Sequence, residues 1–441
     1  MLAFSVCLFH GPSTAHALPA FARQTKMECW ACHIGSFGPQ LTPVGRNFKL
    51  NGYALSAADD LQKAWQGLSG MVQAGFERTG KAQPPATPNF KTNDHVAVDQ
   101  ASLFYAGRVL PNIGIFSQAT YDAIADRLSW DNVDVRYANN TTLGNKGLIY
   151  GVTVNNNPSV QDLWQTTPAW AFPFVTSGLA PTPKASPFMA QLGQTVGGAG
   201  VYSMWDDLLY TELSGYTSLA DTAQRDLGEA GVSASDHLQG IAPYWRAVLH
   251  FQHNTGLDYF SIGTFGMNSS RYPDNERSMG TDDMLDTALD ATYQFVTPNG
   301  DHNISLYGAY LHERQDLKAT HALGRSSRAG DSLDSLTATA SYYYKNAYGL
   351  TLSRFDITGS SDTLLYPSPA NHRPDSAGWR IQIDASPFGH GSSPGFPYLN
   401  ARFFAQYTAY DKFDGLRYNY DGLGRNASDN NTLYTGVWFE F

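Results

Sequence analysis

Trp379-Arg380-Ile381-Gln382-Ile383-Asp384-Ala385 alternates apolar and polar residues without a fault. Successive side chains of an extended chain point to opposite faces, so this stretch reads as a strand. Trp379, Ile381 and Ile383 share one side; Arg380, Gln382 and Asp384 share the other. The same period recurs on both sides of it. Leu399 to Tyr410 sets Leu399, Ala401, Phe403 and Tyr407 against Asn400, Arg402, Gln406 and Thr408. Leu285 to Phe295 sets Leu285, Leu289, Tyr293 and Phe295 against Asp286, Asp290, Thr292 and Gln294. In Trp245 to Gln252 the odd positions are apolar, leaving Arg246 and His250 on the polar side. In Leu68 to Glu77, Ser69, Met71, Gln73 and Glu77 share the face opposite Leu68, Val72 and Phe76.

A soluble sandwich would alternate in the same way, so the connections decide between the two. Short turns fall near Arg108–Asn112, Asn254–Asp258, Pro298–His302 and Lys345–Tyr348. Long polar connections fall near Lys81–His95, Asn155–Thr195, Thr217–Ala242, Asn268–Asp283, Arg314–Ser332, Thr358–Ala377 and Asp411–Asn431. Short turns at one end and long loops at the other is the layout of an outer-membrane barrel. The expected fold is therefore all-β: an antiparallel barrel of about sixteen strands, an even number that returns the C-terminus to the periplasmic side. The last strand, Leu433 to Phe441, carries Leu433, Thr435, Val437, Phe439 and Phe441 on one face, and it ends on the aromatic residue typical of strands read by the outer-membrane assembly machinery. Two loops stand out. Asn155 to Met189 is rich in Pro and aromatics, Trp164 and Trp170 among them, and is read as folding inward to constrict the lumen. Tyr272–Arg277 with Thr281–Asp283 is acidic, either a solvated loop or an attractor of cations.

Composition agrees. Charged residues make up 15% and aromatics 13%, with 25 Tyr, 24 Phe and 41 Gly, a profile of strands, turns and aromatic girdles rather than helices. Mean hydropathy is −0.32, and no run of eighteen apolar residues occurs, which excludes helical membrane spans. The net charge of −10 argues against nucleic-acid binding.

The N-terminus is different. Residues 1–17 read as an export leader, an apolar run from Met1 to Phe9 followed by the A-x-A site Ala15-His16-Ala17, though without a basic n-region. Then comes Cys29-Trp30-Ala31-Cys32-His33. Two thiols separated by two residues, with histidine directly after, is the spacing that attaches one c-type haem. The thiols add across the porphyrin vinyl groups, and His33 lies under the iron as proximal ligand. A zinc half-site or a redox CxxC pair are the alternatives. Zinc needs four ligands, and the one further cysteine, Cys7, falls in the leader. A thioredoxin-like pair sits in a βαβ pattern, which is absent. Residues 18–64 thus form a small helical cytochrome module, closed by a short helix near Ala57–Ala64, and residues 65–441 form the barrel. A module of about 45 residues rarely buries enough surface to fold alone. Its haem pocket is completed by the rest of the chain, with the module plugging the lumen.

Ala20-Phe21-Ala22-Arg23-Gln24-Thr25, the haem motif, Pro39-x-Leu41-x-x-x-Gly45-Arg46-x-Phe48-Lys49 and Gly52-Tyr53 together resemble the fused monohaem cytochrome–porins of the outer membrane, a family that includes iron(II)-oxidising cytochromes. The likeness covers the haem module and, in organisation, the barrel. Thr25-Lys26-Met27 departs from the Thr-Gly-Met common in iron-oxidising members, and the Gly38-Pro39 region also differs, which leaves room for another redox partner. The resemblance implies electron transfer from extracellular Fe(II), through the haem, to a periplasmic c-type cytochrome; as an enzyme this would be an iron(II):cytochrome c oxidoreductase. A haem-plugged diffusion porin and exchange with a non-iron donor or acceptor are the other readings. No acid–base pair of suitable spacing occurs, and one-electron chemistry needs none. Arg23, Arg46 and Lys49 are candidates to neutralise the haem propionates, or are ordinary cations. For the sixth iron ligand Met71 is the first candidate, as His/Met ligation raises the potential. His250 is the second, and Met27 reaches awkwardly from the haem peptide itself. Both Met71 and His250 could equally be packing or hydrogen-bonding wall residues.

Overall fold

The computed structural model describes residues 19–57, 64–229, 232, 235–253 and 258–441. The expected leader, most of the helix expected at Ala57–Ala64 and most of the turn at Asn254–Asp258 lie outside the described residues. Strands run as β1 (Leu68–Thr79), β2 (His95–Leu110), β3 (Ile113–Asp122), β4 (Arg127–Leu143), β5 (Lys146–Asn155), β6 (Val196–Trp205), β7 (Leu209–Ser218), β8 (His237–Leu238), β9 (Ala242–His253), β10 (Asp258–Tyr272), β11 (Asp282–Val296), β12 (His302–Asp316), β13 (Gly330–Tyr344), β14 (Tyr348–Gly359), β15 (Ser376–Ala385), β16 (Asn400–Lys412) and β17 (Thr432–Glu440). β8 is a two-residue strap paired with Arg271 and Tyr272 at the rim. The other sixteen form an antiparallel wall that closes on itself, because β1 pairs with both β2 and β17.

The pleat sorts the wall as the sequence does. Trp379, Ile381 and Ile383 are 45%, 46% and 58% exposed on the outside, while Gln382, Asp384 and Arg402 are buried on the inside. A closed antiparallel barrel with an apolar outer belt and a polar interior is built for the outer membrane: every backbone group is paired and the side chains that meet lipid are apolar. No helix among the described residues is long and apolar enough to cross a membrane.

The connections follow the expected two-ended layout with two exceptions. Residues 123–126 make a tight turn at the long-loop end, and residues 386–399 make a long connection at the short-turn end. The long loop over 156–195 folds inward. Ser159, Gln161, Asp162, Trp164 and Thr167 in it are essentially without solvent contact.

Inside the lumen, charge is buried in pairs. Arg136 Nε donates to Asp134 at 2.7 Å, with both side chains fully buried. Arg246 holds Asp290 at 2.8 Å and Asp162 at 3.2 Å. Arg402 lies 3.4 Å from Asp384. The first pair also ties the lumen contents to the wall. Arg136 Nη2 donates to the Gln161 carbonyl at 2.8 Å, in the inward loop. Tyr53 from the N-terminal segment donates to Asp134 at 2.7 Å. Removing one member of a buried pair strands the other charge at a cost of about 3–5 kcal/mol. Arg136→Met is expected to lose stability of that order in denaturant unfolding of micellar protein followed by tryptophan fluorescence. Asp134→Asn combined with Arg136→Met is expected to recover a large part of it.

Candidate functional site

Three short helices precede the wall: α1 (Pro19–Thr25), α2 (Cys29–Cys32) and α3 (Pro43–Leu50). Local chemistry fixes each end. The Thr42 hydroxyl caps α3 by accepting from the Gly45 N–H at 3.2 Å, with Pro43 at the first helical position where its missing donor is harmless. His33 follows the single turn of α2, its N–H donating to the Cys29 carbonyl at 2.9 Å, and it bridges to Leu41. The Thr42 hydroxyl also donates to the Ala31 carbonyl at 2.6 Å. These bonds fold residues 33–42 into a closed loop beside the Cys-x-x-Cys turn. Gly45 is required there, since a Cβ on it would stand 2.2 Å from the Cys32 carbonyl oxygen.

This segment lies inside the barrel, bonded to inward-facing groups around the wall. Gln24 accepts from the Arg108 N–H at 2.6 Å, and Tyr202 donates to the Leu50 carbonyl at 2.9 Å. On the other side Asn400 donates to the Ser36 carbonyl at 2.8 Å, and Ser36 donates to the Asn346 carbonyl at 2.6 Å. The long connection at the short-turn end also packs here: Phe396 joins Ala22 and Cys29 in one apolar cluster, and the Arg23 guanidinium lies 5.7 Å from the Tyr398 ring centre.

Between the segment, β1–β3 and the inward loop is a cavity of about 290 Å³. Cys32, His33 and Met71 all line it, as do Phe48, Phe104, Phe116, Trp170 and Trp438. Two residues that pattern reading singled out separately, His33 and Met71, thus meet in one chamber. Met27 lines it as well, half-exposed. His250 faces inward but away from this cavity, its ring 4.9 Å from that of Tyr259. Of the three cations, only Lys49 lines the cavity. It donates to the carbonyls of Val160 at 2.6 Å and Asp162 at 2.8 Å and lies 4.8 Å from the Trp170 ring centre. Arg23 spends its guanidinium on the backbone where β1 begins, with Nε donating to the Gln66 carbonyl at 3.1 Å and Nη2 to the Leu68 carbonyl. Arg46 sits on another face of α3 from Gly45, Phe48 and Lys49. The acidic stretch near Asp282 is also taken up by protein: Thr320 and Arg271 hold that carboxylate, and no group of three or more metal-ligating side chains occurs among the described residues.

The protonation states suit a ligand site. Burial pulls the His33 imidazole down to about 4, with the Gln40 carbonyl beside it working in the opposite sense, so the ring is neutral at physiological pH. A neutral imidazole is the form that ligates metal. Its Nδ1 is buried without a hydrogen-bond partner. Burial pushes the Cys32 thiol up to about 11 and Cys29 well above its usual range. Protonated thiols are poor nucleophiles, which counts against a redox CxxC pair. Sequence reading did not find Trp438, although the inward parity of the last strand marks it. It also did not find residues 386–399, whose length at the short-turn end carries no motif.

No protein-family model and no curated protein matches the chain. Among solved structures it is similar to Salmonella typhi OmpF in complex with daunomycin, at 11% identity over 85% of this chain and 97% of that one, with a TM-score of 0.47. It is also similar to an anion-selective porin from Comamonas acidovorans, at 11% identity over 85% and 98%, TM-score 0.43. The outer membrane channel DcaP of Acinetobacter baumannii aligns at 12% identity over 85% and 96%, TM-score 0.42.

Burial holds Lys49 down at about 7, with Arg136 adding to the effect. A lysine depressed in the fold from 10.5 stabilises it fully above the unfolded value, and that contribution falls away as pH drops toward 7. The unfolding midpoint is therefore expected to rise between pH 7 and 10, and Lys49→Met to flatten that rise.

Proposed function

We propose that this barrel is an outer-membrane electron-transfer protein of the monohaem cytochrome–porin kind, carrying electrons from an extracellular donor, most simply Fe(II), to a periplasmic c-type cytochrome. The observation that carries the reading is the meeting of Cys32, His33 and Met71 on one aromatic-walled cavity, with Gly45 leaving room against the Cys32–His33 peptide.

The residues fit haem c. Cys29 and Cys32 would hold the porphyrin through thioethers, His33 would ligate the iron from one side and Met71 from the other. When bound, haem supplies a one-electron Fe(III)/Fe(II) centre. The chain's own part is positioning and exclusion. The bridge from His33 to Leu41 and the α3 cap keep the imidazole in place. The aromatic walls lower the local polarity, which disfavours the more highly charged oxidised iron. Lys49, at the cavity edge, is the cation best placed for a propionate; Arg23 holds the backbone where β1 begins, and Arg46 does not line the cavity. The short-turn end, where both ends of the wall lie, would face the periplasm, and the inward loop would face the donor.

Three measurements test this. Protein matured with the haem-attachment machinery should keep its haem through denaturing electrophoresis and give a c-type pyridine haemochrome, and Cys32→Ala should lose the two-thioether spectrum. Met71→Ala should lower the midpoint potential and shift the Soret band; an unchanged spectrum removes Met71 as ligand. Rapid mixing of oxidised protein with Fe(II) should reduce the haem at a rate that saturates with iron. Reduction by dithionite but not by iron would keep the cytochrome–porin and discard that donor. A second reading, a channel, follows from the barrel itself and predicts steady ion conductance in planar bilayers, whereas a lumen filled as here predicts little.

A further inference from the structure

Two buried histidines at the long-loop end of the wall are each enclosed between two oxygen acceptors. His95, the first residue of β2, has Nδ1 2.9 Å from Glu77 Oε2 on β1 and Nε2 2.7 Å from the Lys91 carbonyl, in the connection over 80–94. His237, in the β8 strap, has Nε2 2.9 Å from Asp221 Oδ1 and Nδ1 2.8 Å from the Ser235 carbonyl. The two imidazoles are 6% and 5% exposed. Asp221 opens the short helix Asp221–Asp226, so the same arrangement arises in two separate connections. His321, in the connection after β12, differs: its Nδ1 faces the Ser326 carbonyl, and no carboxylate pairs with it among the described residues.

The hydrogens can be counted. A carbonyl and an ionised carboxylate only accept, while a neutral imidazole has one N–H and one bare nitrogen. A neutral ring between two such acceptors sets lone pair against lone pair at hydrogen-bond distance, and burial removes the water that would relieve it. Each unit is therefore satisfied only when it holds one extra proton, on the ring or on the carboxyl. No other cation lies within 4.0 Å of Glu77 or Asp221 among the described residues. Around the first unit stand Asp94, paired with Arg78, then Asp99 on β2 and Tyr434, which is opposite Glu77 on β17 and donates to Asp99. Around the second stand Tyr272, opposite His237 on β10, and Arg271, held by Asp236 and Asp282.

We propose that these two units are proton-dependent latches that fasten the outer connections to the wall, holding while each keeps its extra proton and letting go as the medium turns alkaline. Whichever contact is lost, the connection is freed. If His95 keeps its N–H for Glu77, Lys91 is released; if it keeps it for Lys91, the ring leaves β1. The inference goes beyond the electron-transfer reading and does not depend on it.

Hydrogen–deuterium exchange of the full-length protein in micelles reads the latches directly. It is run from about pH 5 to about pH 9, across the range in which histidines change charge, with labelling times scaled to the intrinsic exchange rate. Opening of 80–94 and of 219–229 is expected to grow several-fold toward the alkaline end, and that of 317–329 to stay level. Glu77→Gln puts a donor where the acceptor was, so a neutral ring can bond on both sides. In that variant 80–94 should stay protected at alkaline pH while 219–229 still opens, and Asp221→Asn should give the reverse. Protection gained at alkaline pH is not what loss of a merely structural contact produces. Asp221 is partly exposed, so Asp221→Asn serves if Glu77→Gln does not fold. No pH trend in the parent, an equal trend in 317–329, or parent-like alkaline opening of the latch that the variant alters would each overturn the proposal.

Discussion

A charge cannot be buried alone, and the interior of this barrel is organised by that constraint. Asp134 and Arg136 neutralise each other on β4, and their remaining hydrogen-bonding capacity reaches outward to three other parts of the chain. Tyr53 and the Lys49 carbonyl bring in the N-terminal segment, Gln161 brings in the long loop, and Thr153 ties β5. An ion pair in a dry interior stabilises only when its other donors and acceptors are satisfied. Here those obligations specify where the segment and the loop must sit. The wall therefore does more than enclose the lumen, since its inward polar side chains determine what fills it.

The filling has two sides of different character. Toward β1–β3 the N-terminal segment faces aromatic rings and an open chamber, where His33 is neutral and Lys49 is held near its point of discharge. Toward β9–β12 it faces polar groups, some paired and some not. α3 divides the two, with Gly45, Phe48 and Lys49 on one face and Arg46 and Leu50 turned away. A helix of eight residues is enough to do this because it makes just over two turns, at 3.6 residues per turn, and so presents side chains all round its axis.

How much of this was legible in the sequence depends on range. Period-two alternation is a local property, so strands such as Trp379–Ala385 and Leu285–Phe295, and the inward direction of Met71 and His250, were readable residue by residue. The haem-type spacing at Cys29–His33 is local too. What could not be read was which inward residues meet across the lumen. Met71 and His250 carry the same signal, yet one lines the cavity with His33 and the other stands against Tyr259. Arg46 and Lys49 are three residues apart, yet Lys49 lines the cavity while Arg46 is bonded to Gln294 on β11. The 386–399 connection was missed because connection lengths give a statistical layout, while the reason for this exception is a contact with the N-terminal segment.

That connection has a consequence for the order of events in the protein's maturation. Cys29 has no solvent exposure, and Phe396 packs over it. Ser36, three residues beyond His33, is bonded to Asn346 and Asn400, which come late in the chain. A maturation enzyme cannot reach a side chain enclosed in this way. Any covalent modification at Cys29 must therefore be finished while the N-terminal segment is still accessible and before β15, β16 and the connection between them come to rest. The last strand can then close the wall against β1 only around a segment that is already chemically complete, so the barrel seals in whatever state its N-terminus has reached.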